Sequence, residues 1–148
     1  MIKFKFMQRI LMIIMIIFVH ITGISQSYEL KVNVTDIAEI EGTARIAVFT
    51  DADHFKDKVS PTDTAIIEIK MHTVSHTFKL IGGLYAIAVY QDNNNDGQLN
   101  TRALGIPTEG VGFSNLYEKK LRPPDFQESS FFLQSDTTIR IPIFYDKK

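Results

Sequence analysis

From Tyr28 onward the apolar residues fall at every second position: Tyr28, Leu30, Val32 and Val34 alternate with Glu29, Lys31 and Asn33. That period places the four on one face of a strand and leaves the other face to water. The run TARIAVFT, residues 43–50, is apolar on both faces, as an inner strand is. Ala65, Ile67, Ile69 and Met71 make a third row, and Val74, His76, Phe78 and Leu80 a fourth. Gly82-Gly83 follows at once and predicts a tight turn that tolerates positive φ, opening into LYAIAVY (84–90) as a central strand. Two more strands are predicted over 129–134 and 137–145. Pro142 has no N–H for a ladder, so the last strand belongs at an edge or is bulged there. No stretch after residue 25 shows helical periodicity. Seven short strands in about 120 residues predict an all-β fold, an antiparallel β-sandwich of immunoglobulin-like or transthyretin-like type, with a barrel as the alternative.

Residues 92–127 break the rhythm. A connection of 36 residues is far longer than a hairpin loop. It carries Leu99, Leu104, Ile106, Val111, Phe113, Leu116, Tyr117, Leu121 and Phe126, which predicts one long ordered loop packed on the sandwich.

Ahead of the strands, Lys3, Lys5 and Arg9 precede a ten-residue apolar run, Ile10 to Val19, and then Gly23-Ile24-Ser25. Basic, apolar, then small is the order of a secretory leader, which predicts a signal peptide over 1–25 and a single sandwich domain over 26–148 beginning at Gln26. Ten apolar residues fall short of the ~20 that span a bilayer, so no transmembrane segment is expected after cleavage. Losing the leader leaves 13 bases against 17 acids, a net charge of −4. Nothing in that balance suggests a nucleic-acid partner. The chain has no Cys, which excludes disulfides, thiolate metal sites, a cysteine nucleophile and a lipid anchor at the cleavage boundary. The expected destination is the periplasm, the cell surface or the medium, where calcium is plentiful.

One segment carries candidate chemistry. Asp92-Asn93-Asn94-Asn95-Asp96-Gly97-Gln98-Leu99-Asn100 has the form D-x-N-x-D-G-x-x-N. Calcium is a hard cation wanting six to eight oxygens, and alternate positions of a tight loop can aim oxygens at one centre. Asp92, Asn94 and Asp96 would supply side-chain oxygens, Gln98 its carbonyl and Asn100 a direct or water-bridged oxygen, with Gly97 permitting the sharp turn. The bidentate Glu that closes an EF-hand loop is replaced by Ala103, and a strand precedes the loop where an EF-hand has a helix. The missing acid must come from elsewhere, and Glu109 is the candidate. With two or three negative charges the site should be weak, on the order of 10⁻⁴–10⁻³ M. The alternative is a polar Asn/Asp/Gly turn holding no metal.

The stretch GLYAIAVYQDNNNDGQLNTRALGIPTEGVGFSN, with the later RPPDF and SSFFL, resembles the secreted bacterial family known as domain of unknown function 2141. The resemblance runs from about Leu30 to Tyr145 and rests on Gly83, Tyr85, Ala86 and Asp92, then Asn94, Asp96, Gly97, Leu99 and Asn100, then Gly105, Pro107, Glu109, Gly112, Phe113, Ser114 and Asn115. Members often carry a His where this chain has Gln91 and an Asn where it has Leu116. The resemblance implies export and a β fold, and no established activity.

Other chemistry-bearing residues have simpler readings. His72 and His76 at i, i+4, with His54, would suit zinc only if brought together on a helix, and His76 reads as a half-buried strand residue. Ser114 lacks the G-x-S-x-G elbow and reads as a turn or capping residue. Gly110-Val111-Gly112 precedes no strand–helix unit and is a poor phosphate loop. Asp51, Asp53 and Asp57 read as a solvated acidic loop, and Lys119, Lys120 and Arg122 as a solvated basic face. Glu109 with Asp92 or Asp96 could form a glycosidase-like carboxylate pair, although an acid held ionised by metal is a poor proton donor.

These features together predict a calcium-ordered binding or structural module, more binding protein than enzyme, whose partner would be a glycan, a peptide or a surface protein. A small periplasmic hydrolase using carboxylates of residues 92–115 and a surface-assembly subunit pairing through an edge strand are the alternatives.

Overall fold

The computed structural model describes residues 26–120 and 122–146, so the predicted leader and Leu121 lie outside the described residues. Eight strands among the described residues form two sheets. The smaller runs β4 (Val74–Ile81), β1 (Ser27–Thr35), β8 (Thr137–Pro142). The larger runs β3 (Asp63–Glu68), β2 (Thr43–Phe49), β5 (Gly83–Asp92), β6 (Val111–Phe113), with β7 (Phe131–Leu133) paired to the first residues of β5. The predicted sandwich is present, with β2 and β5 as inner strands. No helix among the described residues is long and apolar enough to cross a membrane.

The two-residue period does the packing. Leu30, Val32 and Val34 of β1 are fully buried and, with Ile141 of the neighbouring β8, share one core between the sheets with Ile46 and Val48 of β2 and Ile87 of β5. Each such side chain removed from water is worth about 1.5–3 kcal/mol. The row starting at Ala65 ends early, since Ile69 is buried while Met71 is exposed.

The alternate faces of β2 and β5 are apolar for a different reason. On the far side of the larger sheet a second cluster gathers Phe49, Phe55, Ala86, Phe113, Leu116 and Phe126, with Ala47 and Ala88 against it. Two short helices, α1 (Ala52–Asp57) and α2 (Phe126–Ser129), cover it. Sequence patterning predicted no helix here, and predicted strand at Ser129, which instead closes α2. Helices of six and four residues span under two turns, too short for a 3.6-residue period to register. Their caps were the legible signal. Asp51 accepts the His54 N–H at 2.9 Å, so this residue caps a helix and is no part of a solvated acidic loop. Asp125 and Glu128 form a reciprocal capping box.

Two further expectations change. Gly82-Gly83 is no hairpin turn with positive φ: β4 and β5 belong to different sheets, and the chain crosses between them there. The sandwich is also not wholly antiparallel, because β8 runs parallel to β1. Alternation says which face a residue occupies and nothing about strand direction. Pro142 is the last residue of β8, an edge strand, as its missing donor requires.

The long 92–127 connection packs only in its second half. Phe113, Leu116 and Phe126 are buried, whereas Leu99, Leu104, Ile106 and Tyr117 are exposed.

Candidate metal centre

Asp92 ends the inner strand β5, opposite Thr43, and its side chain is fully buried. Its Oδ2 accepts from Arg45 Nε at 2.7 Å and from the Gly97 N–H at 2.9 Å, and its Oδ1 accepts from the Asp96 N–H at 3.1 Å. Burial opposes the charged form, but the Gly97 N–H, the Arg45 guanidinium and the Asp96 N–H outweigh it and hold the Asp92 carboxyl below the usual carboxylate range.

From Asp92 the loop winds by repeated side-chain-to-backbone turns. Asn94 Oδ1 accepts the Asp96 N–H at 3.1 Å, and Asp96 Oδ1 accepts the Gln98 N–H at 2.8 Å. Positions one, three and five each bind a later amide, which curls the backbone around a single centre. Gly97 sits at φ +82°, the left-handed region where a side chain would be strained.

At that centre Asp96 Oδ2 accepts from Asn94 Nδ2 and Asn100 Nδ2, both at 2.9 Å, while Asn94 Nδ2 also reaches Asn100 Oδ1 at 3.1 Å. Asn100 Nδ2 lies 3.4 Å from the Gln98 carbonyl. Half a turn of the Asn100 amide presents an oxygen where its nitrogen lies, without change of shape, whereas the Asp96 N–H on Oδ1 fixes the orientation of Asn94. The loop therefore brings together oxygen-bearing groups from Asp92, Asn94, Asp96, Gln98 and Asn100, a hard-donor set of the kind calcium takes. No group of three or more His, Cys, Asp or Glu side chains able to hold a metal occurs among the described residues, so amide and backbone oxygens must make up the number.

Glu109, 17 residues beyond Asp92, folds back onto this loop and is buried. Its Oε1 accepts the Asn93 N–H at 3.0 Å and its Oε2 the Asn100 N–H at 2.8 Å, so one carboxylate clasps both ends of the turn. Thr108 adds its own N–H and hydroxyl to the Asn100 carbonyl. Glu109→Gln must present an NH2 group to one of those amides. The expected loss is about 2 kcal/mol, one buried donor left unsatisfied, read from urea unfolding; a loss under ~0.5 kcal/mol would show that the clasp is not closed in solution.

Two contributors escaped the sequence reading. Arg45 partners Asp92, and its one signal was a lone cation within the apolar run TARIAVFT. Gln91 is buried and ties the 39–41 turn, its Nε2 donating to the Glu39 and Glu41 carbonyls and its Oε1 accepting from the Tyr145 hydroxyl.

The remaining candidates are spread apart. His72 meets the Ile37 carbonyl, His54 its own cap Asp51, and His76 the edge of Phe78. Ser114 is buried; its hydroxyl accepts the Ile87 N–H and donates to the Ser129 carbonyl at 2.6 Å, bridging strand and helix rather than capping a turn. Gly112 is glycine because a Cβ would stand 2.6 Å from the Pro142 carbonyl oxygen. The basic face is not simply solvated. Lys119 pairs with Asp146, and Lys120 and Arg122 with Glu128, whose carboxyl they and the Asp125 N–H draw down to about 2.

No curated protein and no solved structure matches the chain. Residues 32–140, which hold the loop, its Glu109 clasp, six of the eight strands whole and parts of β1 and β8, match the model of a bacterial family described as "Uncharacterized protein conserved in bacteria (DUF2141)". Sandwich and loop are thus both parts of that shared unit, and the chain belongs to this family.

Proposed function

We propose that the protein is an exported β-sandwich module whose 92–109 loop takes calcium, and that the ion orders the loop beside a ligand-binding face. The observation that carries this reading is the nested turn in which Asp92, Asn94 and Asp96 each bind a later amide while Asp96 Oδ2 collects both asparagine amides. Asp92, Asp96 and Glu109 bring three negative charges and Arg45 one positive, which fits weak, extracellular-type affinity. Binding is favoured over hydrolysis because Asp92 and Glu109 each have both oxygens accepting donors, and neither is free to exchange a proton with a substrate.

Calorimetry and melting with calcium and with chelator test the reading. Calcium at millimolar level should stabilise by about 1 kcal/mol, following RT ln(1 + [L]/Kd). Asp96→Asn removes one charge and keeps the shape, so it should weaken calcium binding and leave the metal-free protein folded. Asp53→Asn, in α1, should leave binding unchanged. No heat of binding at millimolar calcium would reduce the loop to a polar turn.

A further inference from the structure

Lys58 carries a positive charge that no carboxylate among the described residues neutralises. It follows α1 in a left-handed conformation, φ 55° and ψ 38°, where glycine is the usual residue. That backbone carries the side chain back over the aromatic cluster, with Nζ 4.0 Å from the Phe55 ring centre and 5.5 Å from that of Phe113. The ammonium donates to the Phe55 carbonyl, and no carboxylate among the described residues pairs with it. Desolvation lowers its pKa from the ordinary lysine value. Two of its three donors remain open.

Lys58 lies in the wall of a groove of about 550 Å³ beneath the 99–106 segment. The rim is apolar: Leu99, Leu104 and Ile106 are 39%, 97% and 37% exposed. Leu104 is held at φ 66°, a strained backbone for a leucine that gains no burial from it. Lys119 is paired with Asp146, and Lys120 and Arg122 with Glu128, which leaves Lys56 and Lys58 as the lining cations without an ion pair among the described residues. Lys58, its ammonium held against the aromatic rings beside an apolar wall, complements a negative charge on an apolar body.

We propose that this groove binds a single-chain amphiphile with one carboxylate head, Lys58 Nζ taking the head and Leu99, Leu104 and Ile106 lying along the chain. This deepens the binding-module reading but does not depend on calcium.

Titration calorimetry of the exported protein with decanoate below its micelle concentration tests it, with decanol and decylamine as neutral and charge-reversed probes, each in calcium and in chelator. Decanoate should bind saturably in both media and more tightly than decanol, and decylamine should not bind. Lys58→Met should weaken decanoate by about tenfold or more, the loss of one charge-assisted hydrogen bond. Lys58→Gly should weaken it equally without lowering the melting temperature, since glycine suits the left-handed position. Lys31→Met, on β1 in the other sheet, should change nothing. Equal binding of decylamine, or decanoate affinity unmoved by both Lys58 variants, overturns the proposal. So does binding to phosphatidylglycerol vesicles with no uptake of free decanoate, which would assign the face to a membrane surface. Persistence in chelator separates the two readings: loss of calcium binding leaves this result standing, and loss of decanoate binding leaves the calcium result standing.

Discussion

Phe55→Ala is expected to cost about 4 kcal/mol, a large share of the ~5–15 kcal/mol that holds a domain of this size together. Phe55 is 1% exposed and is the one buried residue of α1. Its ring meets Phe49 at 5.5 Å, Phe126 at 5.9 Å and Phe113 at 6.1 Å between centres, each edge to face. Truncation forfeits the transfer energy and leaves a void that three rigid rings cannot collapse to fill. Phe113→Ala, at the 7% exposed margin of the same cluster, should cost about 3 kcal/mol. Urea unfolding reads both, and hydrogen exchange should show residues 52–58 losing protection before the strands do. A Phe55→Ala penalty within ~0.5 kcal/mol would mean that α1 is not docked on the sheet in solution.

Asp92→Ala should be the most costly single change in the candidate metal centre, at about 3 kcal/mol. It strands the Gly97 and Asp96 amides and removes the partner of Arg45. Arg45 is 26% exposed, so water recovers part of that last loss, and Arg45→Met should cost less, about 1 kcal/mol. The effect carries a pH signature. The folded Asp92 carboxyl titrates below its unfolded value near ~4, so its contribution is fully present above that value and disappears as pH falls through the folded one. The gap between native protein and Asp92→Asn should therefore be widest at neutral pH and narrow on acidification. A gap that widened toward acid would contradict the hydrogen-bonded carboxylate described here.

Much of the candidate metal centre was legible because its parts are contiguous. Asp92, Asn94 and Asp96 turn the backbone through bonds to amides only two to five residues away, which depend on spacing alone. Glu109 was named from the sequence as the candidate for the acid missing at Ala103, and the structure brings it to the loop, on the Asn93 and Asn100 amides. Arg45 was not reachable, for it meets Asp92 across 47 residues through the pairing of β2 with β5. Lys58 was hidden similarly: its position over Phe55 and Phe113 exists only once α1 docks on the sheet.

The division in the fold has the same physical origin. Alternation along β1 and β4 determined by itself which side chains enter the core, because successive residues of a strand face opposite ways whatever their neighbour is. The apolar second faces of β2 and β5 announced that something covers them, and only packing decided that two capped helices do. The assignment of β4 and β5 to opposite sheets, and the parallel seating of β8 against β1, also lay beyond the local pattern. Face is a property of one strand's backbone geometry, whereas partner and direction are decided by long-range burial, which chooses among ladders that the same alternation would satisfy equally well.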